Sequence, residues 1–152
     1  MSKKLFVIAV VLSLMLSTVS MSVAQDKEAN KAVADKVTSM VAAAKKAIKS
    51  VPADAVKKAI DAKEKAIYLD VRDAEEYAAG HLPGAQNISR GTLEFKIAKA
   101  IPDTNEKIYV YCKTKGRSTL ATKTLNDLGY KNAVLMDAQY ADWVKAGYPV
   151  ER

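Results

Sequence analysis

The one cysteine of this chain, Cys112, opens the segment Cys112-Lys113-Thr114-Lys115-Gly116-Arg117-Ser118. A strand-like run, Lys107-Ile108-Tyr109-Val110-Tyr111, precedes it, and a helix-like run over residues 118–128 follows. A thiol between a strand end and a helix N-terminus faces unpaired amide N–H groups and the positive end of the helix dipole, and both favour the thiolate. Lys113, Lys115 and Arg117 add positive charge to the same stretch. Lone cysteines are often inert, because a free thiol packs like a small hydrophobe. The basic, glycine-containing loop after Cys112 argues instead for a reactive thiolate.

The surrounding pattern alternates short apolar strands with helices. Residues 66–71, 85–88, 107–111 and 132–136 read as strands. Residues 73–79, 92–100, 118–128 and 138–145 read as helices, with Gly80 and Gly129 ending the first and third of them. Such alternation predicts an α/β fold, a parallel sheet with helices on both faces. Ligands of such sheets bind beyond the C-terminal strand ends, where Cys112 lies. Before the first strand, Val33, Val37, Val41, Ala44, Ile48 and Val51 recur at three- and four-residue spacing, which predicts an N-terminal amphipathic helix over about residues 25–51. Its thin, Ala-heavy stripe could dock on the main domain, pair with another copy as a homodimer, or stand as a solvated spacer. Pro52 marks a boundary, and a shorter helix is expected from there to about Asp61.

The chain opens like an export signal. Lys3 and Lys4 precede an apolar stretch over residues 5–19, and Ser22-Val23-Ala24 supplies the small residues of a cleavage site. Residues 1–24 are therefore expected to be a signal peptide cleaved near Ala24, leaving a periplasmic or secreted protein whose only tie to a membrane is that segment. Cleavage leaves 128 residues and lowers the net charge from +7 to +5 by removing Lys3 and Lys4. With one cysteine no internal disulfide can form. The basic balance does not read as nucleic-acid binding: Lys alternates with Asp and Glu, and no aromatic–basic interleaving is present. It reads as solvated surface plus one local anion site. No His/Cys/Asp cluster has metal-ligand spacing and no nucleotide-type Gly-rich motif appears, so no cofactor is expected.

Several separated segments agree with one family. Leu69-Asp70-Val71-Arg72, Glu76-Tyr77 and Gly80-His81-Leu82-Pro83-Gly84-Ala85-Gln86-Asn87-Ile88 resemble the N-terminal signature of rhodanese (sulfurtransferase) domains. Val110-Tyr111-Cys112 with the basic loop resembles their active-site loop. Gly129-Tyr130, Trp143 and Ala146-Gly147-Tyr148-Pro149-Val150 resemble their C-terminal signature. The resemblance spans about residues 52–152 in the family's order, implying a rhodanese-like domain there. Two departures stand out. Family members commonly carry Gly three residues after the cysteine, where this chain has Lys115 and then Gly116; and Ala138-Gln139 replaces a frequent Gly-Gly.

The resemblance implies a ping-pong sulfurtransferase. Cys112 would take a sulfane sulfur from a small anionic donor such as thiosulfate, hold it as a persulfide, and pass it to a thiol or cyanide acceptor. Backbone N–H groups from Lys113 through Thr114, Lys115, Gly116 and Arg117 to Ser118 could cradle the anion, with the three cations recruiting it. Arg90, after the strand over residues 85–88, could approach the donor's oxyanion. His81 fits a turn-stabilising role, Asp70 and Arg72 fit a pair within the fold, and Trp143 fits core or pocket wall. A cysteine phosphatase would need five residues between Cys and Arg, and Cys112 and Arg117 enclose four. A noncatalytic sulfur carrier or partner-binding module is the alternative from a different class.

Overall fold

The computed structural model describes residues 27–152, so the expected signal peptide and its cleavage site lie outside the described residues. A helix, α1, covers residues 27–46. Its part up to Met40 belongs to one compact unit, where Lys31 pairs with Asp35 one turn away at 3.1 Å. The second unit runs from Val41 to Arg152 and holds the sheet.

Five strands form that sheet: β1 (Ser50–Val51), β2 (Ile67–Asp70), β3 (Gln86–Asn87), β4 (Ile108–Tyr111) and β5 (Ala133–Met136). They lie in the order β1-β5-β4-β2-β3, with all four pairings parallel. Helices α2 (Ala53–Asp61), α3 (Ala74–Ala78), α4 (Leu93–Ala100), α5 (Gly116–Asp127) and α6 (Tyr140–Lys145) fill the connections, with a 3-10 turn at Arg90–Thr92 leading into α4. The expected α/β architecture is the one found.

Alternation along β4 shows how both faces are covered. Ile108 and Val110 join Leu93 and Ile97 of α4 and Ala121 and Leu125 of α5 in one buried cluster; Cys112, next in the alternation, belongs to it too. Tyr109 and Tyr111 point the other way, into a second cluster with Val56 of α2 and Trp143 of α6. The central strands are therefore apolar on both sides, as a sheet sandwiched between helix layers requires.

Two boundaries differ from the sequence reading. The N-terminal helix stops at residue 46, and Ser50–Val51 pairs with Leu135 and Met136 as an edge strand. The residue before a proline is driven out of the helical region, so Pro52 forces Val51 extended despite its helical spacing. Helix α5 begins at Gly116 rather than Ser118. The Thr119 amide donates to the Lys115 carbonyl at 2.9 Å and closes the first turn from Lys115, and glycine's helix cost is a backbone entropy of about 1 kcal/mol that tertiary packing overrides.

At the end of β2, its last residue Asp70 forms a buried pair with Arg72, with Arg72 Nη2 2.6 Å from Asp70 Oδ2. Arg72 Nη2 also donates to the Gly80 carbonyl at 2.7 Å, and the guanidinium lies 4.0 Å over the Tyr140 ring. This fastens the turn before β3 and α6 to the same end of the sheet as Cys112.

Candidate functional site

Cys112 follows the last residue of β4 and has no exposed surface. Three residues later Lys115 adopts φ 78°, ψ −27°, which turns the chain sharply into α5. That turn brings Ser118 back to the sulfur: its amide N–H donates to Cys112 Sγ at 3.2 Å. The thiol S–H donates to Ser118 Oγ, also at 3.2 Å. The Ser118 hydroxyl in turn donates to the Lys115 carbonyl at 3.0 Å, which also accepts the Thr119 amide at 2.9 Å. Lys115 thus sits at the position where the family commonly carries Gly, in the left-handed conformation that glycine adopts without steric cost.

The structure brings Cys112, Lys113, Thr114, Lys115, Gly116, Arg117 and Ser118 into one tight strand–turn–helix, with Lys113 and Thr114 exposed at its tip. The Lys113 carbonyl accepts the Tyr140 amide of α6 at 3.3 Å, which fixes the tip to the next helix. The cations of the loop are not free. Arg117 Nη2 lies 2.7 Å from Glu76 Oε2 and Nη1 lies 3.1 Å from Asp73 Oδ2. Lys113 Nζ approaches Glu76 at 4.0 Å, and Lys115 Nζ approaches Asp137 at 3.7 Å.

Burial pushes the Glu76 carboxyl up, but the Arg117 hydrogen bond, the Asp73 amide and the charges of Arg117 and Arg72 outweigh it and hold the group below the ordinary carboxylate range. Burial likewise works against the Arg117 charge, yet Glu76, Asp73 and the nearby Cys112 hold its guanidinium above its ordinary pKa. Arg117 is therefore a brace between the cysteine turn and the start of α3.

Arg90 is not brought to the loop. Its guanidinium pairs with Glu94 at 2.7 Å and donates to Thr124 Oγ1 at 3.2 Å, tying the 3-10 turn to α4 and α5. His81 sits in its turn with Nδ1 3.0 Å from the Tyr77 carbonyl and its ring stacked on Tyr77 at 3.8 Å. Its backbone pairs both ways with Glu151 at 2.9 Å. Trp143 is buried and donates Nε1–H to the Pro149 carbonyl at 2.9 Å.

Sequence reasoning missed the acidic side of this site. Glu76 and Asp73 form the capping box of α3, a spacing legible in Asp73-Ala74-Glu75-Glu76, but nothing in the sequence aims that box at Arg117. Asp137, just past β5, and Lys45, 2.6 Å from it, carried no signal at all.

The family model for the rhodanese-like domain matches residues 52–146. Thiosulfate sulfurtransferase PspE of Escherichia coli is 38% identical over 63 residues, 41% of this chain and 61% of PspE. YrkF of Bacillus subtilis, named as a sulfur carrier, is 33% identical over 96 residues, 63% of this chain and 51% of YrkF. The chain therefore spans about half to three fifths of the length of these curated relatives. Among solved structures, the polysulfide-sulfur transferase homodimer from Wolinella succinogenes superposes with a TM-score of 0.66 at 28% identity, over 77% of this chain and 88% of that one. A match that takes in the sheet from β2 to β5, the cysteine turn and α6 leaves one assignment: this chain belongs to the rhodanese-like domain family.

Proposed function

We propose that this protein is a sulfurtransferase that works through Cys112. The thiolate attacks the outer sulfur of thiosulfate or another anionic sulfane donor. A new S–S bond forms on Cys112, the old S–S bond breaks, and sulfite leaves with the electron pair. A thiophile, cyanide or a thiolate, then takes the outer sulfur and returns the cysteine as thiolate. Residues 1–24 would direct the chain out of the cytoplasm, and the sulfur chemistry would then take place outside it.

One observation carries the reading: the Ser118 amide, at the N-terminus of α5, points its N–H at Cys112 Sγ from 3.2 Å. A donor fixed on that sulfur stabilises negative charge there, on the thiolate before transfer and near the persulfide after it. The names of PspE and of the Wolinella succinogenes transferase support sulfane-sulfur chemistry for this family branch.

A carrier that takes one sulfur and yields it only to a partner is the second reading. The complete burial of Cys112 favours it, because a closed turn would open only on a partner's surface. The test is thiosulfate-to-cyanide transfer by the wild type and Cys112→Ser. Thiocyanate over many turnovers, absent in the variant, supports the enzyme. No turnover with a single added sulfur in the intact mass supports the carrier, and no turnover without that mass overturns both.

A further inference from the structure

The cysteine turn does not offer an anionic donor surplus positive charge of its own. Arg117 and Lys113 are matched by Glu76 and Asp73, and Lys115 is matched by Asp137. The surplus comes from Lys45. Its Nζ lies 2.6 Å from Asp137 Oδ2, whereas Lys115 reaches Asp137 Oδ1 only at 3.7 Å. Two ammonium groups share one carboxylate, and the closer one dominates it. The Lys45 hydrogen bond is the chief reason the Asp137 carboxyl lies below its ordinary range, with the Lys115 charge contributing less. Asp137 is anchored to the sheet, its amide donating to the Val51 carbonyl at 2.8 Å. Lys45 lies before the stretch that the family model matches.

We propose that Lys45 is a positioning residue for donor binding: by occupying Asp137 it releases the Lys115 ammonium to meet the anionic sulfur donor at the mouth of the Cys112 turn. Lys45 touches no substrate and acts through Asp137. The Lys115 side chain is 44% exposed, so a released ammonium is within reach of solvent-borne anions. The inference rests on the sulfurtransferase reading for the identity of the donor, but its electrostatic content can be read without turnover.

The test alkylates Cys112 in the full chain with anionic iodoacetate and neutral iodoacetamide at low ionic strength. The ratio of the two rates reports the charge that an approaching anion meets, independent of the thiol's intrinsic reactivity. Lys45→Ala is expected to lower the iodoacetate-to-iodoacetamide ratio by about two- to fivefold, the size of a partly exposed ion pair, and salt is expected to erase the difference. In an Asp137→Asn background the same substitution should leave the ratio unchanged, because Lys115 then has no carboxylate to be released from. An equal drop in both backgrounds would mean that Lys45 acts only through its own field, and would overturn the proposal. So would a Lys45→Ala ratio equal to the wild type while thiosulfate-to-cyanide transfer proceeds; the sulfurtransferase reading would then stand alone. A Cys112 that reacts with neither reagent would bring down both.

Discussion

Ser118 meets the Cys112 sulfur twice, with its amide and with its hydroxyl, each at 3.2 Å. The hydroxyl accepts from the thiol and donates its own proton to the Lys115 carbonyl at 3.0 Å. Loss of the thiol proton lets that hydroxyl rotate and donate to the sulfur instead. The Lys115 carbonyl would keep the Thr119 amide at 2.9 Å, so nothing buried is left unpaired by the rotation.

Ser118→Ala keeps the amide and removes the hydroxyl. A hydrogen bond to a charged group contributes about 1.5–3 kcal/mol, so alkylation of Cys112 by iodoacetamide at neutral pH should slow by about tenfold. Equal rates in variant and wild type would mean that the hydroxyl never leaves Lys115.

Lys115 and Gly116 stand one position out of register with the backbone. Lys115 has φ 78°, where a side chain costs about 1 kcal/mol, while Gly116 occupies the first turn of α5, where a Cβ would meet nothing within 4 Å. Lys115→Gly should raise the urea midpoint, by up to about 1 kcal/mol in stability less whatever the exposed Asp137 pair contributes. Gly116→Ala should raise it by a few tenths up to about 1 kcal/mol through the unfolded chain. Lys115→Ala keeps the strained backbone and loses the ion pair, so it should gain nothing. A Lys115→Gly variant no more stable than Lys115→Ala would show that the turn carries no strain.

The sheet was legible because its signals are local: alternating apolar runs, glycines after helices, and a cysteine at a strand end. Ser50–Val51 was not, since a two-residue edge strand has no period of its own and Val51 continues the helical spacing before it. The acidic half of the site was hidden for a different reason. Glu76 and Asp73 reach the cysteine turn from one segment and Asp137 from another, with Lys45 behind Asp137 from a third, and pairings of that range leave no pattern in one sequence. Arg90 shows the converse, since its place after β3 suggested the site but a nearby Glu94 claims it.

Gly80 and Gly84 both have positive φ, +152° and +67°, yet they should answer substitution differently. A Cβ on Gly80 would lie 2.9 Å from the Tyr140 hydroxyl and 3.0 Å from Val150 Cγ1, whereas one on Gly84 would meet nothing within 4 Å. Gly84→Ala should cost only the backbone preference, about 1 kcal/mol. Gly80→Ala must also displace the Tyr140 and Val150 side chains, for a total of about 2–4 kcal/mol. Urea unfolding of the two variants checks the order, and equal losses would mean that the Gly80 contacts relax without cost.

Glu76 gives the fold an acid limb. A carboxyl held below its ordinary value of 4.5 contributes stability that is complete above that value and is lost as pH falls through the folded-state pKa. Wild-type stability should therefore decline as pH falls below the ordinary carboxylate value and through the lower folded-state one, where Glu76 is protonated and Arg117 loses its closest partner. Glu76→Gln should be less stable near neutrality by about 1 kcal/mol, because the neutral amide no longer balances Arg117, and its profile should be flatter on the acid side. The two curves should approach each other as pH falls, since a protonated Glu76 and the uncharged amide of the variant present Arg117 with the same charge. Urea midpoints taken at intervals across that range decide the matter: parallel curves would assign the acid limb to other carboxylates and leave Glu76 as a capping residue of α3 alone.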